Sequence, residues 1–464
     1  MNDMKILTRR AFGILILSLL LFSGLLVFTV RYVMDASSWV QHSSNKHLYN
    51  NGQLITAGKI YDRNGEILLQ TVDGIKKYHE NRTVRTAVMH AVGDSAGNVV
   101  TGAQVAFGDR LSGWDLVNGT FQFTNKLSIF NNDMTLTLDS ELSSVAYDAL
   151  NGRKGTVGVY NYKTGEILCM VSSPSFDPEN PPDVEARPEK YEGVYINRLL
   201  SASYTPGSVF KLVTAAAAID NLENFETTVY RCKGEKIING AKVTCMEPHG
   251  NVTLEQALSK SCNVAFAEIS LELGGHTLQK YAEKAGFNSS LEVDHIKTAV
   301  GKIDAANAEG GDLAWAGIGQ YSDTANPLTF MAYVGSIAND GVRVTPRLLQ
   351  KDKKILSFLN DYRIEKKRIL SEETADRLGK MMRNNVLEEY GEENFEGLEL
   401  CAKSGTAQVG EDQKPNSWFV GYLDREDCPL AFVVVIENGG IGSKVAGPVA
   451  GKVLRAAVNR MTGE

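Results

Sequence analysis

Cysteine and proline are scarce in this sequence, with 6 Cys and 12 Pro among 464 residues. So few cysteines exclude a fold that depends on a dense disulfide framework. So few prolines, together with 43% hydrophobic and 22% charged residues, exclude a collagen-like or broadly disordered chain. An excess of positive charge is also missing, because the formal net charge is −7. No basic field covers the whole chain, and we therefore expect no nucleic-acid partner.

Long apolar runs are missing as well, with one exception at residues 11–30, where no residue carries a charge. A helix of that length spans about 30 Å, the thickness of the hydrocarbon core of a membrane. Lys5, Arg9 and Arg10 precede the run and only Arg31 follows it closely, which predicts a cytoplasmic N-terminus and an extracytoplasmic remainder. A cleaved signal peptide is the alternative, but its apolar region is usually only about 7–15 residues long. We expect residues 1–34 to form a cytoplasmic tail and one membrane anchor.

Two further units are expected outside the membrane, because roughly 150 residues per domain predicts about three units for the whole chain. Residues 35–50 are polar and are predicted to form a connector. Strand-like runs at 58–61 and 66–70 lie on either side of an Asp-Arg-Asn-Gly turn. These patterns predict a small β-containing domain over residues 35–132.

The remaining residues, 133–464, show strand patterns at both ends and helical patterns between them. Asp139 can cap a helix that runs to about residue 151, and a hairpin is predicted from 156 to 171. Helical patterns dominate to about residue 385. The last strands and the closing helix are predicted at 398–409, 417–422, 430–437 and 445–460. This order predicts one α/β domain whose sheet is completed by distant segments of the chain.

The first candidate for chemistry is Ser208, which lies three residues before Lys211. The local sequence is a turn that leads into a strong helix-forming run, so Ser208 is expected in a first helical turn, where free backbone N–H groups favour a developing anion. Lys211 falls on the same face one turn later. A serine hydroxyl needs a nearby base, and a lysine serves if burial and a neighbouring cation lower its pKa. Residues 43–46 repeat the Ser-x-x-Lys spacing in the polar connector, and helix capping is the alternative for Ser208.

The second candidate is the sequence Ser261-Cys262-Asn263, which precedes an amphipathic helical run. A hydroxyl and a carboxamide two positions apart can project together from a helix start. The hydroxyl can relay a proton and the carboxamide can bind a substrate amide, while simple helix capping is the alternative for both.

The third candidate is Lys403-Ser404-Gly405-Thr406, inside a predicted strand. Gly405 permits close approach of another backbone, and a peptide could add along the edge of such a strand. Residues 163–165 also spell Lys-Thr-Gly, but they lie at the tip of a predicted hairpin, where Thr-Gly is ordinary turn chemistry. Only the copy at 403 both follows the serine in the chain and lies within a strand.

The ordered set of Ser-x-x-Lys at 208, Ser-x-Asn at 261 and Lys-Ser-Gly at 403 is specific, although each motif alone is weak. With this set, the chain resembles the class B penicillin-binding proteins, membrane-anchored D,D-transpeptidases of peptidoglycan synthesis, from about residue 57 to 450. Familial segments at 60–65 and 163–178 extend the resemblance. Two positions depart from the family pattern: Ala57 precedes Gly58 where the family often has Arg, and Tyr321 follows Gly319-Gln320 where it commonly has Gly.

The resemblance implies an α/β fold of the penicillin-binding and serine β-lactamase type. This fold has an antiparallel sheet flanked by helices and a helical lobe. Here it would be accompanied by a small N-terminal β-containing domain and one transmembrane helix, with the transpeptidase domain at residues 133–464.

The resemblance also implies a mechanism in which Ser208 attacks the carbonyl of the penultimate D-Ala of a stem peptide and forms an acyl-enzyme. Lys211 would be the general base. Ser261 would relay a proton to the leaving amine, and Asn263 would hydrogen-bond the substrate or Lys211. Lys403 would supply positive potential that helps to keep Lys211 neutral.

Substrate binding would fall to the third motif, with the hydroxyls of Ser404 and Thr406 on the substrate carboxylate and Gly405 between them. The backbone N–H groups of Ser208 and Thr406 would form the oxyanion hole. The implied partners are D-Ala-D-Ala stem peptides, β-lactams that acylate Ser208, and a membrane-embedded peptidoglycan glycosyltransferase. The mechanism needs no metal or organic cofactor.

Two other functions stay open from the residues alone. A β-lactamase or β-lactam sensor would use the same acylation chemistry, and a non-catalytic scaffold would recruit other cell-wall enzymes.

The cysteines raise a separate question, because Cys232 and Cys245 bracket a short segment before His249. A disulfide and two free thiols are both open for this pair. Cys262 and Cys401 flank the motifs and are expected to be small buried thiols. The seven histidines show no ligand pair at useful spacing, and His249 is expected to be structural.

Overall fold

The computed structural model describes residues 2–40, 49–50, 53–54, 58–72, 75–112, 133–350, 364–410 and 413–463. The second Ser-x-x-Lys at residues 43–46 and the departure at Ala57 lie outside the described residues.

The described chain alternates between helices and strands. The helices are α1 (Asn2–Val40), α2 (Arg82–Ala87), α3 (Met89–Val92), α4 (Ala103–Ala106), α5 (Gly108–Ser112), α6 (Ser140–Leu150), α7 (Pro188–Tyr191), α8 (Arg198–Ser201), α9 (Lys211–Asn221), α10 (Leu254–Ser259), α11 (Asn263–Leu273), α12 (Gly275–Ala285), α13 (Gly310–Ala316), α14 (Pro327–Ile337), α15 (Glu372–Asn385) and α16 (Gly442–Thr462). The strands are β1 (Tyr49–Asn50), β2 (Gln53–Leu54), β3 (Ile60–Tyr61), β4 (Ile67–Val72), β5 (Ile75–Tyr78), β6 (Met134–Thr135), β7 (Gly155–Asn161), β8 (Ile167–Ser173), β9 (Tyr230–Cys232), β10 (Glu235–Ile238), β11 (Ala241–Thr244), β12 (Gly250–Val252), β13 (Glu292–Val293), β14 (Ile296–Lys297), β15 (Val342–Val344), β16 (Lys366–Arg368), β17 (Leu400–Ala407), β18 (Asn416–Leu423) and β19 (Leu430–Ile436).

A five-stranded antiparallel sheet in the order β17-β18-β19-β7-β8 forms the centre of the molecule. Side chains alternate between its two faces, as the strand period of two requires. Val433 and Val435 of β19 pack toward α14, while Val434 and Ile436 pack toward α6 and α16. Strands from two distant segments complete this sheet, as predicted, and β17 lies at its edge.

A helical lobe packs beside the sheet around α9. Lys211 to Ile219 are all buried in this helix, and its four consecutive alanines leave room for α11 and α12 to pack closely. The edge strand β17 contacts the turn that precedes α9. The lobe and the sheet therefore meet at the segment that carries Ser208.

Asp139 caps α6, as predicted, by accepting a hydrogen bond from the backbone N–H of Leu142. The sequence Met-Thr-Leu-Thr-Leu at residues 134–138 predicts a strand before this cap, but β6 ends at Thr135, and Leu136 forms an isolated bridge with Leu349 instead.

The N-terminal part contains the predicted pair β3 and β4 around the Asp-Arg-Asn-Gly turn, in a sheet of order β5-β4-β3-β6. The prediction of a connector over 35–50 is wrong at its start, because α1 continues to Val40. No glycine or proline interrupts residues 31–40, so nothing in the sequence ends the helix at the apolar boundary. Within α1, Met4–Arg31 is long and apolar enough to cross a membrane, with a mean hydropathy of 2.6 over an 18-residue window.

The predicted run of helices up to residue 385 is interrupted by short hairpins, of which β10–β11 is the clearest. Its two-residue turn is Asn239-Gly240, and both residues have positive φ, 45° and 82°. Asn-Gly is the strongest short hairpin signal in a sequence, so this element was predictable from residues 238–241. The strands were missed because each is only two to four residues long and shows little alternation.

Candidate active site

Ser208 lies in a single 3₁₀ turn, Gly207–Phe210, that leads directly into α9 at Lys211. Side chains three residues apart superpose in a 3₁₀ turn because it has three residues per turn. The Lys211 Nζ accordingly lies 3.1 Å from the Ser208 Oγ. Gly207 has a φ of +57°, and a Cβ there would contact Ala407 of β17 at 3.0 Å. This position therefore requires glycine, and the turn lies directly against the edge strand.

Lys211 also contacts the second motif, which joins α10 to α11. Its Nζ lies 2.6 Å from the backbone oxygen of Ser261, 3.2 Å from the Ser261 Oγ and 2.7 Å from the Asn263 Oδ1. The Asn263 Nδ2 donates to the backbone oxygen of Thr244 at 2.7 Å. That bond fixes the orientation of the carboxamide, so that its oxygen faces the lysine.

The third motif, which lies on β17, contacts Ser261 of the second motif. The Lys403 Nζ lies 3.1 Å from the Ser261 Oγ and 3.0 Å from the backbone oxygen of Ser404. Gly405 allows the close approach predicted from the sequence, because a Cβ there would lie 2.9 Å from the backbone oxygen of Pro206. The other Lys-Thr-Gly copy is at the tip of the β7–β8 hairpin, where Lys163 is exposed and the turn is capped by Asn161.

Both lysines are fully buried. Burial lowers the pKa of Lys211 to about 8, because the low-dielectric interior disfavours the ammonium form. Burial and the positive charge of Lys211 lower the pKa of Lys403 well below its ordinary value. Two adjacent buried ammonium groups are therefore unfavourable, and the pair tends to carry fewer than two protons.

A cleft of 710 Å³ opens above these groups. The sequence-predicted residues on its wall are Ser208, Ser261, Asn263, Ser404 and Thr406. The two lysines lie beneath it, and Gly405 is buried in β17 behind it. The structure thus brings all eight predicted site residues together.

Comparison with known proteins identifies the family of proteins to which this chain belongs. The family described as "Penicillin binding protein transpeptidase domain" matches residues 155–455, more than half of the chain. "Peptidoglycan D,D-transpeptidase PbpA" of Mycolicibacterium smegmatis is 28% identical over 69% of this chain and 72% of its own length. "Stage V sporulation protein D" of Bacillus subtilis is 30% identical over 70% of this chain, which spans only 53% of that relative's length. This chain is a class B penicillin-binding protein.

Solved structures of other penicillin-binding proteins share the fold. The D,D-transpeptidase domain of a peptidoglycan glycosyltransferase from Eggerthella lenta is 28% identical, with a TM-score of 0.73 over 88% of this chain and 98% of that one. Penicillin-binding protein A of M. tuberculosis, solved as a ceftriaxone acyl-enzyme, is 24% identical with a TM-score of 0.72 over 86% of this chain and 98% of that one. At that identity the likeness shows the fold alone.

Tyr321 is the departure from the family pattern that the structure describes. It has a φ of +64°, in the left-handed region that glycine adopts without a steric penalty. Two residues earlier, Gly319 also has positive φ and accepts a hydrogen bond from the Gly207 N–H at 2.8 Å. The backbone at residue 321 thus keeps a conformation suited to glycine, although the residue has changed.

Sequence reasoning missed Tyr390, which lies on the π-helical turn Val386–Tyr390 after α15. Its hydroxyl accepts a hydrogen bond from the Ser404 N–H at 2.9 Å and donates to the Ser404 Oγ at 3.0 Å. No motif marks this tyrosine, because its role depends on how α15 packs against β17. Sequence reasoning also missed that Cys262, the middle residue of the second motif, lies next to Cys245.

Proposed function

We propose that this protein is a serine-type peptidoglycan D,D-transpeptidase that cross-links stem peptides through an acyl-enzyme on Ser208. The observation that carries the proposal is the convergence of three distant motifs on the Ser261 hydroxyl, which both Lys211 of the first motif and Lys403 of the third motif contact. β-Lactams, as covalent inhibitors, would acylate the same hydroxyl.

The hydrogen bonds of Lys211 support its proposed role as the general base. A neutral amine has two N–H bonds and one lone pair. The backbone oxygen of Ser261 and the Asn263 Oδ1 can only accept, and they are its two shortest contacts, at 2.6 and 2.7 Å. They take both N–H bonds of the neutral amine, which leaves the lone pair for the Ser208 hydroxyl proton at 3.1 Å. As this proton moves to Lys211, the Ser208 oxygen bonds to the carbonyl carbon of the penultimate D-Ala.

Ser261 is placed to return a proton to the leaving group. Its Oγ bridges the two lysines, at 3.2 Å from the Lys211 Nζ and 3.1 Å from the Lys403 Nζ. In this mechanism Lys211 passes its new proton through Ser261 to the nitrogen of the terminal D-Ala as the C–N bond breaks. An amine from a second stem peptide then attacks the acyl carbon, and Ser208 regains its proton.

The edge strand β17 would give the donor peptide a place to bind, because within the described part of the chain one side of it has no neighbouring strand. Tyr390 donates to the Ser404 Oγ, and the Gly442 N–H donates to the Thr406 Oγ1. Both hydroxyls therefore keep their own hydrogens to donate into the cleft, where a terminal carboxylate would accept them. The N–H groups of Ser208 and Thr406 would bind the oxyanion, and loss of one such donor typically costs about 3 kcal/mol.

The proposal assigns residues 1–34 to a cytoplasmic tail and an anchor, residues 35–132 to a small exported domain, and residues 133–464 to the transpeptidase. Lys5, Arg9 and Arg10 before the apolar helix support a cytoplasmic N-terminus. A transpeptidase held at the membrane surface needs newly polymerised strands, so a membrane-embedded peptidoglycan glycosyltransferase is the partner we propose.

Labelling of the purified chain with fluorescent penicillin tests this proposal. We expect labelling that is lost in Ser208→Ala and strongly reduced in Lys403→Ala. Lys163→Ala is the matched control, because it alters the other Lys-Thr-Gly copy and should label normally. Labelling that persists in Ser208→Ala would refute the assignment of the nucleophile.

Two further measurements separate the alternatives. An acyl-enzyme that survives for hours is expected of a transpeptidase, and rapid release of hydrolysed penicillin would point to a β-lactamase. If Ser208→Ala fully restored growth and cross-linking in a strain that lacks the protein, the scaffold function would hold instead.

A further inference from the structure

Four potential metal ligands form a compact group next to the second motif: Cys232, Cys245, His249 and Cys262. Their ligand atoms all lie within 4.8 Å of one another. The Cys245 Sγ is 3.7 Å from the Cys232 Sγ and 3.9 Å from the Cys262 Sγ, and the Cys232 Sγ is 3.6 Å from the His249 Nδ1. The cysteines are free of disulfides, so all three sulfurs are available as ligands.

These separations match the edges of a tetrahedron around a zinc ion. With Zn–S bonds of about 2.3 Å and a Zn–N bond of about 2.05 Å, tetrahedral angles place two sulfurs about 3.8 Å apart and a sulfur and a nitrogen about 3.6 Å apart. The three separations given above, 3.7, 3.9 and 3.6 Å, lie within about 0.2 Å of those values.

Four separate elements supply the four residues, and backbone hydrogen bonds orient two of the sulfurs. Cys232 ends β9, Cys245 follows β11, His249 precedes β12, and Cys262 caps α11. The Gly234 N–H donates to the Cys232 Sγ and the Ala265 N–H donates to the Cys262 Sγ, both at 3.4 Å. Backbone N–H donors to sulfur stabilise thiolates and fix their direction, as outer groups around metal sites commonly do.

We propose that Cys232, Cys245, His249 and Cys262 bind one Zn²⁺ ion in a closed, tetrahedral, structural site. Three thiolates and one imidazole are a standard ligand set for structural zinc, and four protein ligands leave no open position for a water or substrate. Binding displaces the thiol protons to solvent, and no oxidation or reduction is involved.

The site would position two of the proposed catalytic residues. Cys262 lies between Ser261 and Asn263 in the chain, and the Asn263 Nδ2 donates to the backbone oxygen of Thr244, next to Cys245. A metal bound by both Cys245 and Cys262 would therefore hold the donor residue and the acceptor residue of this hydrogen bond in place. Loss of the metal is expected to loosen Ser261 and Asn263 and to slow acylation of Ser208, without removing any reacting atom.

Measurement of the metal content of the full chain tests the proposal. The protein is purified in detergent without a metal-affinity tag, and its metals are quantified by mass spectrometry. We expect about one zinc per chain in the wild type and at least about a tenfold lower content in Cys245→Ser and Cys262→Ser. Cys169→Ala is the matched control, since Cys169 is a buried thiol of β8 outside the cluster, and it should keep its zinc.

A second measurement uses the wild-type chain alone, in case a variant fails to fold. Removal of zinc with a chelator should expose three additional thiols to a thiol reagent and lower the melting temperature. Cobalt(II) added in its place should give the visible absorption of a tetrahedral thiolate complex.

Several results would overturn the proposal: a Cys232–Cys245 disulfide in most chains, iron in place of zinc, or full zinc content in both cluster variants. Ser208→Ala separates the site from the proposed function, because it should lose penicillin labelling and keep its zinc. Zinc-loaded wild-type protein that fails to label would refute the function and leave the metal site standing.

Discussion

At the scale of single residues, the proposed chemistry depends on the burial of Lys211 and Lys403, which both contact the hydroxyl of Ser261. The spacing of Ser208 and Lys211 was predictable, because side chains three residues apart share a face of any helical turn. The burial of Lys211 and Lys403, which lowers their pKa values, was not predictable, because it results from packing of α9 and β17 against segments 50 or more residues away in the chain.

The pKa of Lys211 predicts how acylation depends on pH. The general base must be neutral, and its folded-state pKa of about 8 lies below the ordinary lysine value. Acylation by benzylpenicillin should therefore be slow when the lysine is protonated, rise about tenfold per pH unit below pH 8 and level off above it. Stopped-flow rates from pH 6 to 9.5 check this expectation. A profile that stays flat across this range would exclude Lys211 as the base.

The two hydrogen bonds between Tyr390 and Ser404 predict that substitution of Tyr390 affects substrate binding. Tyr390→Phe removes the donor to the Ser404 Oγ and the acceptor of the Ser404 N–H, which costs about 1 kcal/mol of positioning. We expect roughly fivefold slower acylation by penicillin.

A double-mutant cycle supplies the control for Tyr390. The effects of Tyr390→Phe and Ser404→Ala should be less than additive, because both remove the hydrogen bond between the Tyr390 hydroxyl and the Ser404 Oγ, while Ser404→Ala keeps the bond from the backbone N–H. Full additivity would show that Tyr390 acts elsewhere.

The positive φ of Tyr321 predicts a stabilising substitution. A side chain in the left-handed region costs about 1–2 kcal/mol, and glycine removes this cost while it gives up some entropy on folding. We expect Tyr321→Gly to raise the free energy of unfolding by about 0.5–1 kcal/mol. Tyr321→Ala keeps its Cβ, and its free energy of unfolding should not rise. Equal stability of the two variants in urea unfolding would contradict the backbone explanation.

At the scale of elements, the edge strand β17 and the turn of Ser208 form one unit held by close backbone contact. Strands β18 and β19 were predictable, because each contains an apolar run of strong β-formers. The hairpins that carry Cys232 and Cys245 were missed, although Asn239-Gly240 signals one of them. The proposed metal site could not be read from spacing, because its ligands come from four elements whose contacts only the fold determines.

Substitution of Gly405 tests the contact between β17 and the Ser208 turn directly. A Cβ at Gly405 would lie 2.9 Å from the backbone oxygen of Pro206 and 3.1 Å from Trp418, so Gly405→Ala must push the Ser208 turn away from β17. We expect a loss of about 1–3 kcal/mol in stability and slower penicillin acylation. Gly410→Ala is the matched control, because a Cβ there meets no atom of the described residues within 4 Å. Wild-type acylation by Gly405→Ala would contradict the proposed role of this contact.

At the scale of the whole molecule, the segment from Asp139 to Ser173 and the C-terminal segment come together although they are far apart in the chain. Strands β7 and β8 join β19 in one sheet, and Arg460 of α16 binds Asp139, the cap of α6, at 2.7 Å. The order of elements was enough to predict this closure. The arrangement of the N-terminal sheet was not predictable, because β6 joins it after a segment of 55 residues that shows little periodicity.

The central claim is that Ser208 is the nucleophile, and peptide mapping after benzylpenicillin treatment tests it most directly. Tryptic digestion and mass spectrometry should find the mass of one intact antibiotic on the Ser208 side chain. Digests of Ser208→Ala should contain no acylated peptide. Acylation at any other residue, or stoichiometric acylation of Ser208→Ala, would contradict the account.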